Sequence, residues 1–507
     1  MRVKSTLYNS VAGLINRIAA MVSVFLVRRF FVMNLETEYL GLEGLFSNIL
    51  GIFSIVEFGL GTAISFDLFE PVHKKDRSQL SSFMMLYKKA YYILGTVIFA
   101  LSLCFVPLML NFIKDYTIDG GNIKLYFIIY ASGVSVTYFF SYKRTLLFAL
   151  QKNYIVLMVD SAIKILLSIL QIYVLINYHN YLLYLVLIVL ANISANIVVS
   201  IICDRGHYYD RKCAEPLSEY YKQKIIADVK AIAVTNISWQ GIVSTDNIII
   251  SLLTGVMNLA KNANYTLMTA AISSIISSVL GGVSASVGDL LAEKDRKKIR
   301  EYFHRYCFIY FICSSYAALG LFFVSADVIT LWVGRDFVFD TCIVFVISFN
   351  LFLSLVLKPL GDYQNYSGCF VYYKSYSVVT LLINLSVSVI FAKIWGVIGV
   401  FFGSLAAYIF MFIVFANIIY KHIFAEKITG FFCSVFQFVL PMVVSFILLY
   451  FMFREIIINN TAASVIFRIV MVTLVYFISV ILILHRDCNY RYFREFVFLI
   501  IKKHFCR

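Results

Sequence analysis

The stretch Tyr181–Ile202 reads YLLYLVLIVLANISANIVVSII and holds no charged residue. As a helix rising 1.5 Å per residue, a run of this length crosses a hydrocarbon core of about 30 Å. Residues 91–113, 338–357 and 462–484 repeat the pattern, each with no more than one charged residue. In all, 61% of the 507 residues are apolar. The apolar runs are too long and too uniform for barrel strands, which alternate and span about 10 residues. Only helices then satisfy the backbone hydrogen bonds in lipid. The expected fold class is an all-α polytopic membrane protein with about 14 transmembrane helices.

Working outward, the first six spans fall near 9–33, 41–66, 90–112, 124–142, 154–177 and 181–202. The next six fall near 230–253, 262–287, 306–330, 338–358, 375–394 and 396–419, and the last two near 433–453 and 462–484. Lys75-Asp76-Arg77 follows span two, and Lys294-Asp295-Arg296 follows span eight, at an offset of 219 residues. Each tripeptide follows a Gly/Ser-rich span and precedes another span, which reads as two pseudo-symmetric six-helix lobes. The expected organisation is an N-terminal lobe at 1–205 and an inter-lobe linker at 206–229. A C-terminal lobe follows at 230–425, then two further helices within 426–485. A basic amphipathic tail at 486–507 lies on the membrane surface.

The net charge is +15, but it is distributed as a topology signal. On this span map 32 of the 43 Lys and Arg residues fall on one side. By the positive-inside rule that side is cytoplasmic, as are both termini, and the basic loops meet anionic lipids rather than nucleic acid. The ten cysteines are scattered without a CxxC pair, so neither a zinc site nor a disulfide framework is expected. No phosphate-binding loop of the Walker type is present. The outer loops are short, at Lys114–Lys124, Tyr178–Asn180, Leu331–Asp340 and Arg454–Ala462. They leave no room for the catalytic loops of a membrane glycosyltransferase or polymerase, so a carrier is expected rather than an enzyme.

Charged groups inside a bilayer usually face a cavity or a partner. Span one carries Asn16, Arg17, Arg28 and Arg29, and Arg17 cannot practically shed its proton. Span two carries Glu57, and span seven carries Asp246 and Asn247. Asp160 and Lys164 lie four apart in span five and read either as a mutual pair or as functional groups. Arg468 lies outside the repeat and reads as structural or as a lipid contact. Span two also holds Gly41, Gly44, Gly51, Gly59 and Gly61, which permit close packing or bending. Pro107 and Pro441 read as kinks, and Pro359 as the end of span ten.

The segment Tyr39–Asp76, YLGLEGLFSNILGIFSIVEFGLGTAISFDLFEPVHKKD, resembles the span-two region of bacterial polysaccharide transporters. These are the Wzx-type oligosaccharide flippases of the multidrug/oligosaccharidyl-lipid/polysaccharide exporter superfamily. Tyr39-Leu40-Gly41, Phe58-Gly59-Leu60-Gly61 and the Pro turn into a Lys-Asp loop carry the likeness, together with the layout of twelve spans plus two. The resemblance implies a MATE-like fold whose two lobes flank a cavity open alternately to each side of a bacterial cytoplasmic membrane. The implied cargo is a polyprenyl-pyrophosphate-linked oligosaccharide for O-antigen, capsule or exopolysaccharide. Arg17, Arg28, Arg29, Asn16 and Asn247 are the expected cargo-binding groups. Glu57, Asp160 and Asp246 are the candidates for coupling to an H+ or Na+ gradient, with no cofactor. A polysaccharide polymerase and chain-length proteins are the expected partners besides membrane lipids. A flippase for the peptidoglycan lipid precursor and a cation-coupled multidrug exporter are the competing readings within the superfamily.

Overall fold

A computed structural model of the chain describes residues 2–57, 76–113, 118–150, 152–209, 244–292, 295–367, 370–456 and 461–492, with Leu68, Pro71, Val72, Lys74 and Arg494 besides. These residues are helical and contain no strand. In chain order the helices are α1 (Arg2–Asn34), α2 (Thr37–Phe53), α3 (Arg77–Phe105), α4 (Gly120–Ala149), α5 (Asn153–Tyr178), α6 (Tyr181–Arg205) and α7 (Val256–Ala292). They continue with α8 (Arg296–Trp332), α9 (Thr341–Tyr366), α10 (Phe370–Trp395), α11 (Val397–Ile419), α12 (Thr429–Glu455) and α13 (Thr461–Leu484). Residues 244–254 form one more helical stretch.

Among the described residues, ten helices are long and apolar enough to cross a membrane. They coincide with expected spans three to six and nine to fourteen. Spans one and eight lie within α1 and α7, and the start of span two within α2. The second half of span two, the first half of span seven, most of the linker and tail residues 495–507 lie outside the described residues.

Several helices run beyond their apolar cores because polar side chains start them. Asp76 accepts a hydrogen bond from the Gln79 amide at 2.9 Å and caps α3. Asp295 accepts from the Lys297 and Lys298 amides at 3.1 and 3.3 Å and caps α8. Their backbones match closely, at φ −80°, ψ 99° and φ −82°, ψ 97°. The repeated Lys-Asp-Arg tripeptide is thus a repeated helix start, in which a carboxylate satisfies the otherwise unbonded first amides. Asp119 and Asn180 cap α4 and α6 in the same way. Pro359 lies inside α9, which continues to Tyr366, so the span runs past the proline expected to end it. Membrane helices tolerate the missing hydrogen bond where neighbouring groups satisfy the freed carbonyl. Pro107 begins a short 3₁₀ segment, Val106–Phe112, at the end of α3.

The chain divides into two compact units, Met1–Ala260 and Lys261–Arg507. Residues 244–254 pack within the first unit: Asn247 donates to the Asn48 Oδ1 at 3.1 Å, and Ser251 to the Phe112 carbonyl at 2.8 Å. In the same unit Gly41 lies against Val256, where an added Cβ would stand 2.6 Å from the Val256 carbonyl oxygen. Close helix approach is therefore the use of this glycine of span two.

The two units are filled differently. In the second, 72% of the most apolar segment of α8 and 67% of that of α9 are buried, against 22% for α12 and α13. Phe303, Phe308, Phe311, Phe352, Tyr363, Phe412, Phe431, Phe438 and Tyr476 form the core around α8. In the first unit no span exceeds 39%. The first unit has a smaller core, with Phe83, Tyr87, Tyr91, Tyr138 and Tyr142 packed together.

Candidate functional site: a polar cavity in the N-terminal unit

Five helices of the first unit enclose a cavity of about 650 Å³. Its walls follow helical periodicity. From α1 come Asn16, Ala20, Ser23, Val27, Arg28 and Phe31, spaced so that they share one face. Asp160, Lys164, Ser168 and Gln171 come likewise from α5, and Tyr184, Ile188, Asn192 and Asn196 from α6. Glu43 of α2 and Thr137, Ser141 and Arg144 of α4 complete the polar lining.

Much of this lining is held in place by hydrogen bonds. The Arg144 guanidinium grips Asp160 through two parallel bonds of 2.8 and 2.9 Å and donates from Nε to Asn196 at 2.7 Å. The bidentate fork fixes α4, α5 and α6 to one another at the wall. Asn16 donates from Nδ2 to the Leu157 carbonyl at 3.1 Å and to the Ser161 hydroxyl at 3.0 Å, which pins α1 to α5. Gln171 and Tyr184 line the cavity together. Near the rim of the same unit, Lys143 meets Asp204 at 2.6 Å and Ser200 at 2.5 Å.

Arg28 is held differently. Its Nη1 is buried and has no hydrogen-bond partner among the described residues. Glu43 faces it as its electrostatic counterpart. The cavity therefore carries three cations, Arg28, Arg144 and Lys164, against two carboxylates, Glu43 and Asp160. Of the cations, Arg144 is engaged by Asp160 and Asn196, each of its three nitrogens donating one bond. What is left to meet a ligand is a positive charge with hydroxyl and amide groups around it, a lining suited to a polar, net anionic molecule.

Among the expected site residues, Asn16, Arg28 and Asp160 come together in this cavity. Arg17 and Arg29 are exposed and lie off the lining face, because one residue along a helix turns the side chain by about 100°. Asn247 joins Asn48 instead, and Asp246 is half-buried beside it in the sequence. Glu57 ends the short turn after α2, beside the Tyr138 hydroxyl, which donates to Ser54 at 2.9 Å. The partner of Asp160 is Arg144, from another helix, rather than Lys164 in its own. Glu43, Arg144, Gln171 and Asn196 were not singled out from the sequence. Glu43 had a signal, being a carboxylate in the glycine-rich apolar segment Gly41–Phe53. Asn196 had one too, as an amide within the apolar run 181–202, whereas Arg144 had none, since it reads as a loop cation. Among the described residues no group of three or more His, Cys, Asp and Glu side chains is placed to hold a metal ion.

The second unit has an apolar pocket of about 440 Å³, lined by Phe322, Phe345, Phe349, Phe402, Leu405 and Tyr450 among others. These side chains come from α8, α9, α11 and α12.

No protein-family model matches the sequence, and no curated protein does. Solved structures do. A lipid II flippase, MurJ, in an inward closed conformation superposes with a TM-score of 0.72 at 15% identity, over 95% of this chain and 99% of the other. The fold is MurJ/MATE-like. An inward-facing multidrug resistance MATE family transporter of the MOP superfamily gives a TM-score of 0.60 at 14% identity, over 79% of this chain and 94% of that one. A mutant of the Vibrio cholerae MATE transporter VcmN gives 0.57 at 16% identity, over 84% of this chain and 98% of that one. At such identities the likeness concerns the architecture: a helical membrane protein that shares its course through the bilayer with flippases and exporters.

Proposed function

We propose that the chain is a flippase that carries polyprenyl-pyrophosphate-linked oligosaccharide repeat units across a bacterial cytoplasmic membrane, for O-antigen, capsule or exopolysaccharide. The observation that carries this reading is Arg28, whose buried Nη1 lacks a partner among the described residues in a polar cavity. A pyrophosphate supplies the acceptor oxygens that this atom lacks, and charge-assisted bonds of this kind are about twice as strong as neutral ones. The amides of Asn16, Gln171 and Asn192 and the hydroxyls of Thr137 and Ser141 suit sugar hydroxyls. A cavity of about 650 Å³ takes the pyrophosphate and its nearest sugars rather than a long glycan.

The excess of positive charge in the cavity argues against an exporter of cationic drugs, whose cargo favours carboxylates. A peptidoglycan precursor shares the pyrophosphate and polyprenyl groups, and the MurJ-like fold keeps that reading as the nearest alternative. For coupling to an H+ or Na+ gradient, Asp160 has both oxygens engaged by Arg144, so Glu43 joins Glu57 and Asp246 as a candidate carboxylate.

The test is a strain deleted for this gene, with surface polymer and lipid-linked units quantified on the inner leaflet. Loss of polymer with accumulation of complete units supports the proposal. Normal polymer with arrested peptidoglycan synthesis favours the alternative, and incomplete units point to an enzyme.

A further inference from the structure

Outside the polar cavity, the first unit carries a second concavity of about 350 Å³, lined by Met84, Met85, Lys88, Lys89, Tyr92, Tyr142 and Tyr209. It sits where α3 begins and where α4 and α6 end. Among the described residues its lining contains two ammonium groups and no carboxylate. Among the described residues neither Lys88 nor Lys89 forms a salt bridge, and Lys88 lies over the Tyr92 ring at 5.3 Å.

One wall of this concavity is built by a fixed turn. After α6 the chain reverses through Gly206 and through His207, which has a positive φ of 45°. A Cβ at Gly206 would overlap the Tyr208 ring, so only glycine permits that ring to fold back. Lys152 then donates to the Tyr208 hydroxyl at 2.7 Å with its ammonium 4.6 Å from the ring centre. Tyr209, the next residue, reaches the pocket from this clamped position.

From the pocket an exposed apolar stripe runs along α3. Ile93, Val97 and Leu101 follow Lys89 at four-residue intervals, and all three are exposed. Twelve residues of helix cover about 18 Å, close to the depth of one leaflet of a ~30 Å hydrocarbon core. The lysines and phenols thus stand at the level of the headgroups, with an acyl-chain track beneath them.

We propose that this concavity is a binding site for an anionic glycerophospholipid. Lys88 and Lys89 neutralise the phosphodiester, the phenols of Tyr142 and Tyr209 flank the headgroup, and one acyl chain lies along Ile93, Val97 and Leu101. Charge complementarity selects the anionic lipid over a zwitterionic one, whose choline would meet the lysines without a counter-charge. The site stands apart from the cargo cavity and does not depend on the identity of the cargo.

The test is native mass spectrometry of the full chain in detergent, titrated with dioleoyl phosphatidylglycerol or dioleoyl phosphatidylcholine. The wild type is expected to retain one phosphatidylglycerol with at least about tenfold preference over phosphatidylcholine, the ratio that one unshielded surface charge or so supplies. Lys88→Gln/Lys89→Gln should lose that preference, Lys88→Arg/Lys89→Arg should keep it, and Tyr209→Ala should weaken retention severalfold. The two lysines carry no ion pair among the described residues, so size-exclusion profiles should be unchanged. Equal retention of both lipids, or an undiminished preference in the Gln variant, overturns the proposal. So does release of the lipid by millimolar inorganic phosphate, which would mark a free-phosphate site instead.

Discussion

Arg468 lies in the final span, where a bare guanidinium would be costly. Its Nε meets Asp327 at 3.0 Å and Ser464 at 3.1 Å, its Nη1 donates to the Phe323 carbonyl at 3.0 Å, and the group lies 5.0 Å from the Phe453 ring centre. Arg468→Ala leaves Asp327 without its cation and should cost about 1–3 kcal/mol. The check is a lowered melting temperature in detergent, partly restored by Asp327→Asn in the same chain. Arg28 is the contrasting residue, buried but incompletely bonded. Arg28→Ala should therefore cut surface polymer about tenfold or more at unchanged protein level, as the loss of a charge-assisted bond implies, and Arg28→Lys should keep part of the activity. Arg17→Ala, off the lining face, should cost less than Arg28→Ala. An equal or greater loss in a polymer assay would move the cargo site away from this cavity.

At the scale of elements, helix starts and helix crossings rest on small groups. Asp295→Ala removes the cap of α8 and should cost about 1 kcal/mol. The α10 and α11 crossing in the second unit is a close one. Asn384 donates to Ser404 at 3.2 Å, and Ser388 to the Val400 carbonyl at 3.0 Å. A Cβ on Gly403 would meet the Ser388 hydroxyl and stand 2.6 Å from the Asn384 carbonyl oxygen. Gly403→Ala should then destabilise by about 1–3 kcal/mol through overpacking. Gly361→Ala in α9 is the control. Nothing lies within 4 Å of the Cβ it would add, so removing backbone freedom should stabilise by about 0.5–1 kcal/mol. Thermal unfolding monitored by size exclusion separates the two variants, and equal shifts would contradict the packing argument.

At the scale of the molecule, the charge asymmetry predicts orientation. If the basic loops are cytoplasmic, a C-terminal green fluorescent protein fusion should fluoresce and a C-terminal alkaline phosphatase fusion should be inactive. Active phosphatase would invert the topology. At the start of the C-terminal segment Asp487 accepts from the Asn489 and Tyr490 amides, and Arg305 of α8 lies 3.9 Å from the Tyr492 ring centre. The difference in filling between the units belongs to this scale as well. It makes substitutions in the aromatic core around α8 a matter of stability; on the proposed function, those on the α1 and α5 cavity faces act on transport instead.

The sequence by itself determined the helical class, the location of ten spans and the repeated helix start at Asp76 and Asp295. Length, hydropathy and capping are local properties, and the bilayer requires every spanning segment to satisfy its own backbone. It also placed Asn16, Arg28 and Asp160 among the polar groups of the spans, because a charge or amide in an apolar run is visible in one dimension. Only the tertiary structure decided which of them meet. Asp160 had Lys164 within reach on its own helix, yet the geometry delivered Arg144 from α4. Arg17 and Arg28 look alike in sequence, but helix rotation sends one outward and the other into the cavity. Pairing across helices depends on how faces are turned toward one another, and hydropathy carries no record of that rotation.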